Sequence, residues 1–365
     1  MPISILFTIP NFITAGSGRA MLNIIERLDR DKFAPAVCVL RKGGDLDRAV
    51  EQLGIPLIEA PFAIPARPYH TLLFRARKAA EVFRPYRFAI WHSFNYSDDY
   101  TEPVIARMAG ARRWVYTKKN MGWGSRAWRL RTYLAHGVVA QNREMLKRFF
   151  PGQNDKVRLI PRGVDVTRFA PNGHNRELRS KGQFPQGATV IAHVGQLVPI
   201  KNHQHLLRAL AKTKTDLRLV LAGEFLDRSY AAGLQRLTEE LGLKDRVRFL
   251  GKVNDVPNLL RAVDIFAFCS HVESCPVALL EAMALGLPCI VTDIPAMLDI
   301  HQPGKTALVV PRDNVDAFAA ALDELALDQD QRRRLGETGR KQIEERFTIE
   351  RETSDHQRLY LELAC

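Results

Sequence analysis

An α/β protein with two doubly wound parallel sheets is predicted by three features of the sequence. Short apolar runs alternate with amphipathic helical stretches, as they do when helices cover both faces of a parallel sheet. The alternation runs once through the first half of the chain and restarts in the second. The chain has 365 residues and 46% hydrophobic content, which suits two domains at about 150 residues each.

The elements follow in order. Ile3–Ile9 is a continuous apolar run, the pattern of a strand buried on both faces. A glycine turn, Gly16-Ser17-Gly18, comes next, and Ala20, Met21, Ile24, Ile25 and Leu28 then recur at helical spacing. Residues 36–40 predict a second strand and 46–53 a second helix. Residues 88–91, 114–117 and 138–140 predict further strands. In the second half, residues 190–194 form a strand, and a loop leads to a helix carrying Leu206, Leu207 and Leu210. Residues 217–221, 247–250, Ile265–Phe268 and Cys289–Thr292 continue the alternation. The join falls within residues 162–175, which hold Gly163, Pro171, Asn172 and Gly173. The domains are expected at 1–168 and 169–345. Residues 346–365 are expected to form a charged helix that packs back on the first domain.

Composition narrows the function. The 53 Lys and Arg residues outnumber 40 acidic ones, for a net charge of +13. That charge fits either a solvated basic surface or an acidic partner. The five cysteines, Cys38, Cys269, Cys275, Cys289 and Cys365, are odd in number and show no metal-ligand spacing. Cys38, Cys269 and Cys289 sit in apolar runs and read as buried residues of a cytoplasmic protein. The first fourteen residues lack a cationic start and a small-residue cleavage pattern, so they read as a strand rather than a leader. The longest apolar stretch, 274–291, is interrupted by Glu281, Gly286 and two prolines, which argues against a membrane span.

Three strand-to-helix junctions carry candidate chemistry. Gly16 and Gly18 let a ligand approach the backbone where a helix N-terminus attracts anions, or they simply make an ordinary turn. Gly195 and Gln196 end the first strand of the second half, and Pro199-Ile200-Lys201-Asn202 is expected to open the next helix, where Lys201 can reach a diphosphate or merely face solvent. The third junction is His271-Val272-Glu273-Ser274-Cys275-Pro276-Val277, which runs into Ala278-Leu279-Leu280-Glu281-Ala282-Met283-Ala284. Pro276 is expected as the first helical residue, with Gly286 and Pro288 as the stop. Glu281 then lies about 7.5 Å into the helix, at about 1.5 Å per residue. The amides between the two glutamates can hold a diphosphate. Glu273 would take sugar hydroxyls and Glu281 ribose hydroxyls. Glu281 lies among Val277, Leu280, Ala284 and Leu285, where a charge needs a partner. Asp45-Leu46-Asp47 opens an amphipathic helix and reads as capping rather than as a metal site.

These residues resemble the retaining glycosyltransferase group 1, or family 4, superfamily of GT-B architecture, and the resemblance covers almost the whole chain. Glu273 and Glu281, with seven residues between, match its signature, as do the residues from Glu281 to Pro288. Residues 157–171 look like its inter-domain segment. Residues 247–255, with Lys252 and Val253, look like its nucleobase-binding strand and turn. The resemblance implies two Rossmann-like domains facing across a cleft, with a nucleotide-sugar (UDP- or GDP-sugar) held by the second and a glycan or lipid-linked acceptor held by the first. It implies retention of anomeric configuration without a metal or other cofactor, the leaving diphosphate being stabilised by Lys201 and backbone amides. The implied donor-binding residues are Gly16, Gly18, Gly195, Gln196, Lys201, Lys252, Val253, Glu273, Ser274, Cys275, Pro276, Val277 and Glu281. The family has Arg where Gln196 stands, and often Phe-Gly where Ser274-Cys275 stand. Many members carry a histidine where this chain has Lys118-Lys119-Asn120. Lys119 and His92 are the candidates for its place; with Glu273 and Lys201 they make up the candidate catalytic residues.

The first domain is also basic and aromatic. From Arg112 through Tyr133 there are seven basic residues, no acidic ones, and Trp114, Tyr116, Trp123, Trp128 and Tyr133. From Arg67 through Arg87 there are six basic residues against Glu81 alone. Cations and interfacial rings together suit an anionic membrane surface; the alternative is a solvated face with Trp114 in the core. No recognition motif points to nucleic acid. The reading is an enzyme of cell-envelope polysaccharide or lipopolysaccharide synthesis, cytoplasmic or peripheral on the inner membrane face. A GT-B epimerase or hydrolase, or a nucleotide-sugar-binding protein without turnover, stays open beside it.

Overall fold

A computed structural model describes residues 1–13, 15–44, 46–122, 124–153, 155–171 and 187–365. Of the expected features, Asp45, Trp123, Asn172 and Gly173 lie outside these residues. The chain forms two compact units, Met1–Arg162 with Ile349–Cys365, and Gly163–Thr348.

The first unit is a seven-stranded parallel sheet in the order β3-β2-β1-β4-β5-β6-β7. Its strands are β1 Ile3–Ile9, β2 Phe33–Val39, β3 Leu57–Glu59, β4 Ile90–Ser93, β5 Arg113–Thr117, β6 Gly137–Ala140 and β7 Val157–Leu159. β1 pairs with β2 along its whole length, from Ile3 opposite Phe33 to Ile9 opposite Val39. β4 and β6 are buried at every residue, because helices cover both faces. One face packs Ala76, Ala79, Ile105, Ala106 and Trp128 against Trp91, Trp114 and Tyr116. The other packs Met21, Ile24, Leu359 and Tyr360 against Ile5, Phe7 and Val115. Trp114 and Trp128 are therefore core residues, not surface rings.

The second unit is a six-stranded parallel sheet in the order β10-β9-β8-β11-β12-β13. Its strands are β8 Thr189–Val194, β9 Leu217–Ala222, β10 Val247–Gly251, β11 Ile265–Phe268, β12 Cys289–Thr292 and β13 Leu308–Val310. In both sheets the winding direction reverses at one place, between β1 and β4 and between β8 and β11. The carboxyl ends of strands at such a reversal open a crevice where ligands bind.

Three expectations are corrected. Gly16, Ser17 and Gly18 are not a turn ahead of a helix but the first turn of the helix Ala15–Glu26. Gly18 is a packing residue, since a Cβ there would lie 2.7 Å from the Phe12 ring. The unit boundaries fall at 162/163 and 348/349 rather than at 168/169 and 345/346. Val164 bridges Thr348 and donates its N–H to Phe347 O at 2.8 Å, which fastens both crossings to the second unit. For the same reason residues 346–363 are not one helix. Gln329–Arg346 ends before the buried Phe347, and a new helix, Ile349–Ala364, belongs to the first unit.

Candidate functional site

Three strand ends in the second unit meet at glycines, Gly195, Gly223 and Gly251, and form a shelf. Gly195 N–H donates to Ala222 O at 2.9 Å, and Gly223 N–H donates to Gly251 O at 2.8 Å. A Cβ on Gly223 would lie 1.8 Å from Gly195 O, so no other residue fits there. Beyond Gly195 the chain makes a short turn, Pro199–Lys201, and Asn202 takes a left-handed conformation (φ 54°) that aims the helix His203–Lys212 away.

Lys201 reaches back across this shelf. Its Cε passes 3.8 Å from where a Cβ on Gly195 would stand, ordinary van der Waals contact. Lys201 Nζ pairs with Glu273 Oε1 at 2.5 Å and lies 5.5 Å from the Phe268 ring centre. Two tethers bring these distant residues together. His271 N–H donates to Ile200 O at 2.9 Å, and the buried Cys269 thiol donates to Asn202 O at 3.2 Å.

Pro276 stands just outside the helix Val277–Ala284 instead of opening it. The amides of Leu279 and Leu280 turn back to Pro276 O at 3.0 and 3.2 Å. That leaves the amides of Val277 and Ala278 foremost at a positive helix end. Glu281 follows one turn on. Burial pushes its carboxyl up to about 7, partly offset by the Arg168 guanidinium. Arg168 is held in the second unit by Arg261, which donates to Arg168 O at 2.9 Å and Ala170 O at 3.2 Å. Gln196 and Lys252 are exposed, while Val253, Ser274, Cys275 and Val277 are half-buried. Among the described residues no three His, Cys, Asp or Glu side chains gather as a metal site.

Sequence reasoning missed Arg168 and His193. His193 is buried beside the shelf, its Nε2 3.4 Å from a Cβ built on Gly195 and its Nδ1 2.9 Å from Ala267 O. The carbonyl only accepts, so Nδ1 carries the proton and Nε2 is a bare acceptor. A histidine at a strand end was the one available signal for His193; Arg168 had none beyond its place in the inter-domain segment.

In the first unit the candidates separate. His92 is wholly buried, with Nδ1 2.7 Å from Tyr360 Oη and Nε2 2.9 Å from Thr117 Oγ1. Burial drives its pKa well down. It is a core residue joining β4 to the C-terminal helix, and the catalytic expectation for it is withdrawn. Lys119 donates to Phe94 O and lies 4.3 Å from the Tyr96 ring centre. Desolvation, aided by the Arg162 charge, weakens its hold on its proton, the opposite of what a standing cation requires. Gly16 is exposed with open space around it, and Gly18 packs on Phe12. The larger omission is Glu102. Wholly buried, it accepts from Thr8 (2.5 Å), Ser93 (2.7 Å), Trp91 (3.1 Å) and Arg131 (3.3 Å). It thereby ties the carboxyl ends of β1 and β4 together at the reversal.

Two family models cover the two units: Glycosyltransferase Family 4 matches residues 14–168 and Glycosyl transferases group 1 matches residues 174–342. N-acetyl-alpha-D-glucosaminyl L-malate synthase of Bacillus anthracis is 26% identical over 234 residues, 64% of this chain and 59% of that protein. UDP-Gal:alpha-D-GlcNAc-diphosphoundecaprenol alpha-1,3-galactosyltransferase of Escherichia coli is 32% identical over 179 residues, 48% of this chain and 46% of that protein. The matched region is thus little more than half of the first relative and less than half of the second. Anabaena HepE, solved in complex with UDP-glucose, shares the fold with a TM-score of 0.84 at 19% identity, over 98% of this chain and 99% of that one. With both of its units matched, and with two Rossmann-like parallel sheets of the GT-B type, the chain belongs to the glycosyltransferase group 1 / family 4 superfamily.

Proposed function

We propose that this chain moves a sugar from a nucleotide-sugar to a glycan or lipid-linked acceptor, with retention of anomeric configuration and without a metal. The observation that carries the reading is the meeting of Lys201 and Glu273 at 2.5 Å, one loop ahead of the helix that bears Glu281. In this reading the diphosphate lies on the Gly195 shelf, against Lys201 and the amides of Val277 and Ala278. Charge that develops on the leaving diphosphate meets a cation and helix dipole already in place, which costs no reorganisation. Glu273 accepts from sugar hydroxyls and Glu281 from ribose hydroxyls, with Lys252 and Val253 beside the base.

The donor is UDP-linked by preference, since the Anabaena structure holds UDP-glucose and the name of the Escherichia coli relative specifies UDP-Gal. That name also specifies a diphosphoundecaprenol acceptor, which supports envelope-glycan synthesis in the cytoplasm beside a membrane. The test is transfer from UDP-sugars to lipid-linked acceptors in the presence of a chelator. Wild type should turn over, and Lys201→Ala should lose about 10²–10³-fold, as for removal of one oxyanion donor. Full activity in Lys201→Ala would refute the diphosphate assignment. Free sugar released from donor alone would point to a hydrolase or epimerase instead.

A further inference from the structure

The strand β8 buries Val190, Ile191, Ala192 and His193, and the histidine is the one polar side chain among them. An apolar residue would fill that place with no polar atom to satisfy. The imidazole is wedged. It stacks on Phe268 with ring centres 5.2 Å apart and meets the His203 ring in a T at 4.6 Å. Its Nδ1–H donates to Ala267 O at 2.9 Å, which leaves the lone pair on Nε2. Burial, with the Lys201 charge nearby, pulls the ring down to about 4, so at neutral pH it is uncharged and Nε2 is an acceptor. Among the described residues no group donates to Nε2. A buried acceptor without a donor costs stability, and in a native fold such an atom calls for an explanation.

The donor that fits is the Lys201 ammonium. The point where a Cβ on Gly195 would stand lies 3.4 Å from His193 Nε2, 3.8 Å from Lys201 Cε and 3.9 Å from Lys201 Cδ. His193 and Lys201 also share the Phe268 ring, with Lys201 Nζ 5.5 Å from its centre. The lysine stem therefore passes beside Nε2 on its way to Glu273. An ammonium carries three protons, and Glu273 Oε1 takes one of them at 2.5 Å. In the reading above, Glu273 turns to sugar hydroxyls once the donor is bound, and Lys201 then needs another anchor. A neutral imidazole suits that place. It accepts from the ammonium without cancelling the positive charge that faces the diphosphate, as a carboxylate would.

We propose that His193 is a positioning residue for Lys201: Nε2 accepts from the ammonium when the diphosphate draws Lys201 away from Glu273, and so holds the cation at the Gly195 shelf. The inference rests on the donor reading above. His193 touches no substrate atom in it and acts through the lysine.

Two substitutions separate the ring nitrogens. Asparagine places its amide where Nδ1 stands and has nothing at Nε2; glutamine reaches the Nε2 position and gives up Nδ1. The measurement is calorimetric titration of the full chain, at neutral pH, with whichever of UDP, GDP and ADP binds wild type best. His193→Asn should bind it about tenfold more weakly, the scale of one hydrogen bond to a charged group. His193→Gln should stay close to wild type. Circular dichroism should show both folded; if His193→Asn is not, His193→Phe, which keeps a ring on Phe268 and lacks both nitrogens, takes its place with the same expected loss. Weaker binding in His193→Gln alone would assign the ring to its Ala267 bond and overturn the proposal, as would equal losses in both variants or a loss in neither. Lys201→Ala supplies the second arm. Adding His193→Asn to it should cost nothing further, because two residues that act as one unit are not additive. A further loss of about tenfold would show that His193 acts apart from Lys201 and overturn the proposal. Lys201→Ala that binds as tightly as wild type would sink the donor reading itself. A loss in Lys201→Ala with none in His193→Asn would sink this inference alone.

Discussion

Glu281 is the residue whose environment says most about its use. Burial raises its carboxyl to about 7 from an ordinary value near 4.5. A raised carboxyl favours folding most below its unfolded value, and that contribution is lost as pH rises toward about 7. If Glu281 takes the ribose hydroxyls as proposed, they donate to its ionised form, so nucleotide binding should favour loss of the proton. Affinity for a nucleoside diphosphate should therefore rise between pH 6 and pH 8, by calorimetric titration. Glu281→Gln should flatten the part of that rise due to this carboxyl, leaving the part due to the diphosphate's own titration. A variant with an unchanged pH profile would remove Glu281 from the site. Glu273 and Glu281 stood out in the sequence because they share one strand-to-helix segment, and Lys201 because it follows a strand end; that Lys201 meets Glu273, 72 residues away, did not. Nor did Arg168, Glu102 or the burial of His92, because they depend on contacts across the fold, such as that of His92 with Tyr360.

At the scale of elements, glycines without side chains decide how closely segments approach. A Cβ on Gly336 would lie 2.0 Å from Gly286 O, where Gly286 itself takes φ +74° after the helix Val277–Ala284. Gly336→Ala should destabilise the second unit by about 3 kcal/mol in urea unfolding, the upper range for overpacking. A loss well under 1 kcal/mol would mean that the helix Gln329–Arg346 shifts freely. Gly286 was legible as a helix stop; its partner, in the middle of a charged helix, was not. The long buried strands announced themselves as apolar runs. The three-residue strands β3, β7 and β13 were too short to show a pattern. The helix Arg126–Leu134 was hidden because its core face carries Arg131 and Thr132, polar residues that fold inward to meet Glu102 and Tyr116.

At the scale of the whole molecule, the chain leaves its first unit at 162/163 and returns at 348/349. The returning helix completes the first core: Tyr360 bonds His92 and meets Phe7 edge-on, with ring centres 6.1 Å apart. Glu352 pairs with the buried Arg162 at 2.8 Å. Tyr360→Ala should cost about 3–5 kcal/mol, as for loss of a large core side chain, and should lower the unfolding transition of the first unit. Little change would mean that the helix is an accessory. Lys201, Glu273 and Glu281, on which the proposed donor site is built, lie in the second unit, so nucleotide-induced stabilisation should survive this change.

The most direct measurement is a thermal-shift titration of wild type and Lys201→Ala with UDP, GDP, ADP and their sugar conjugates. A ligand at about 100 times its dissociation constant stabilises by about 2.7 kcal/mol. One base, UDP by preference, should shift wild type clearly, with its sugar conjugate acting at least as strongly. Lys201→Ala should lose most of that shift. No shift of wild type with any of the nucleotides, or an undiminished shift in Lys201→Ala, would contradict a donor site built on Lys201, Glu273 and Glu281.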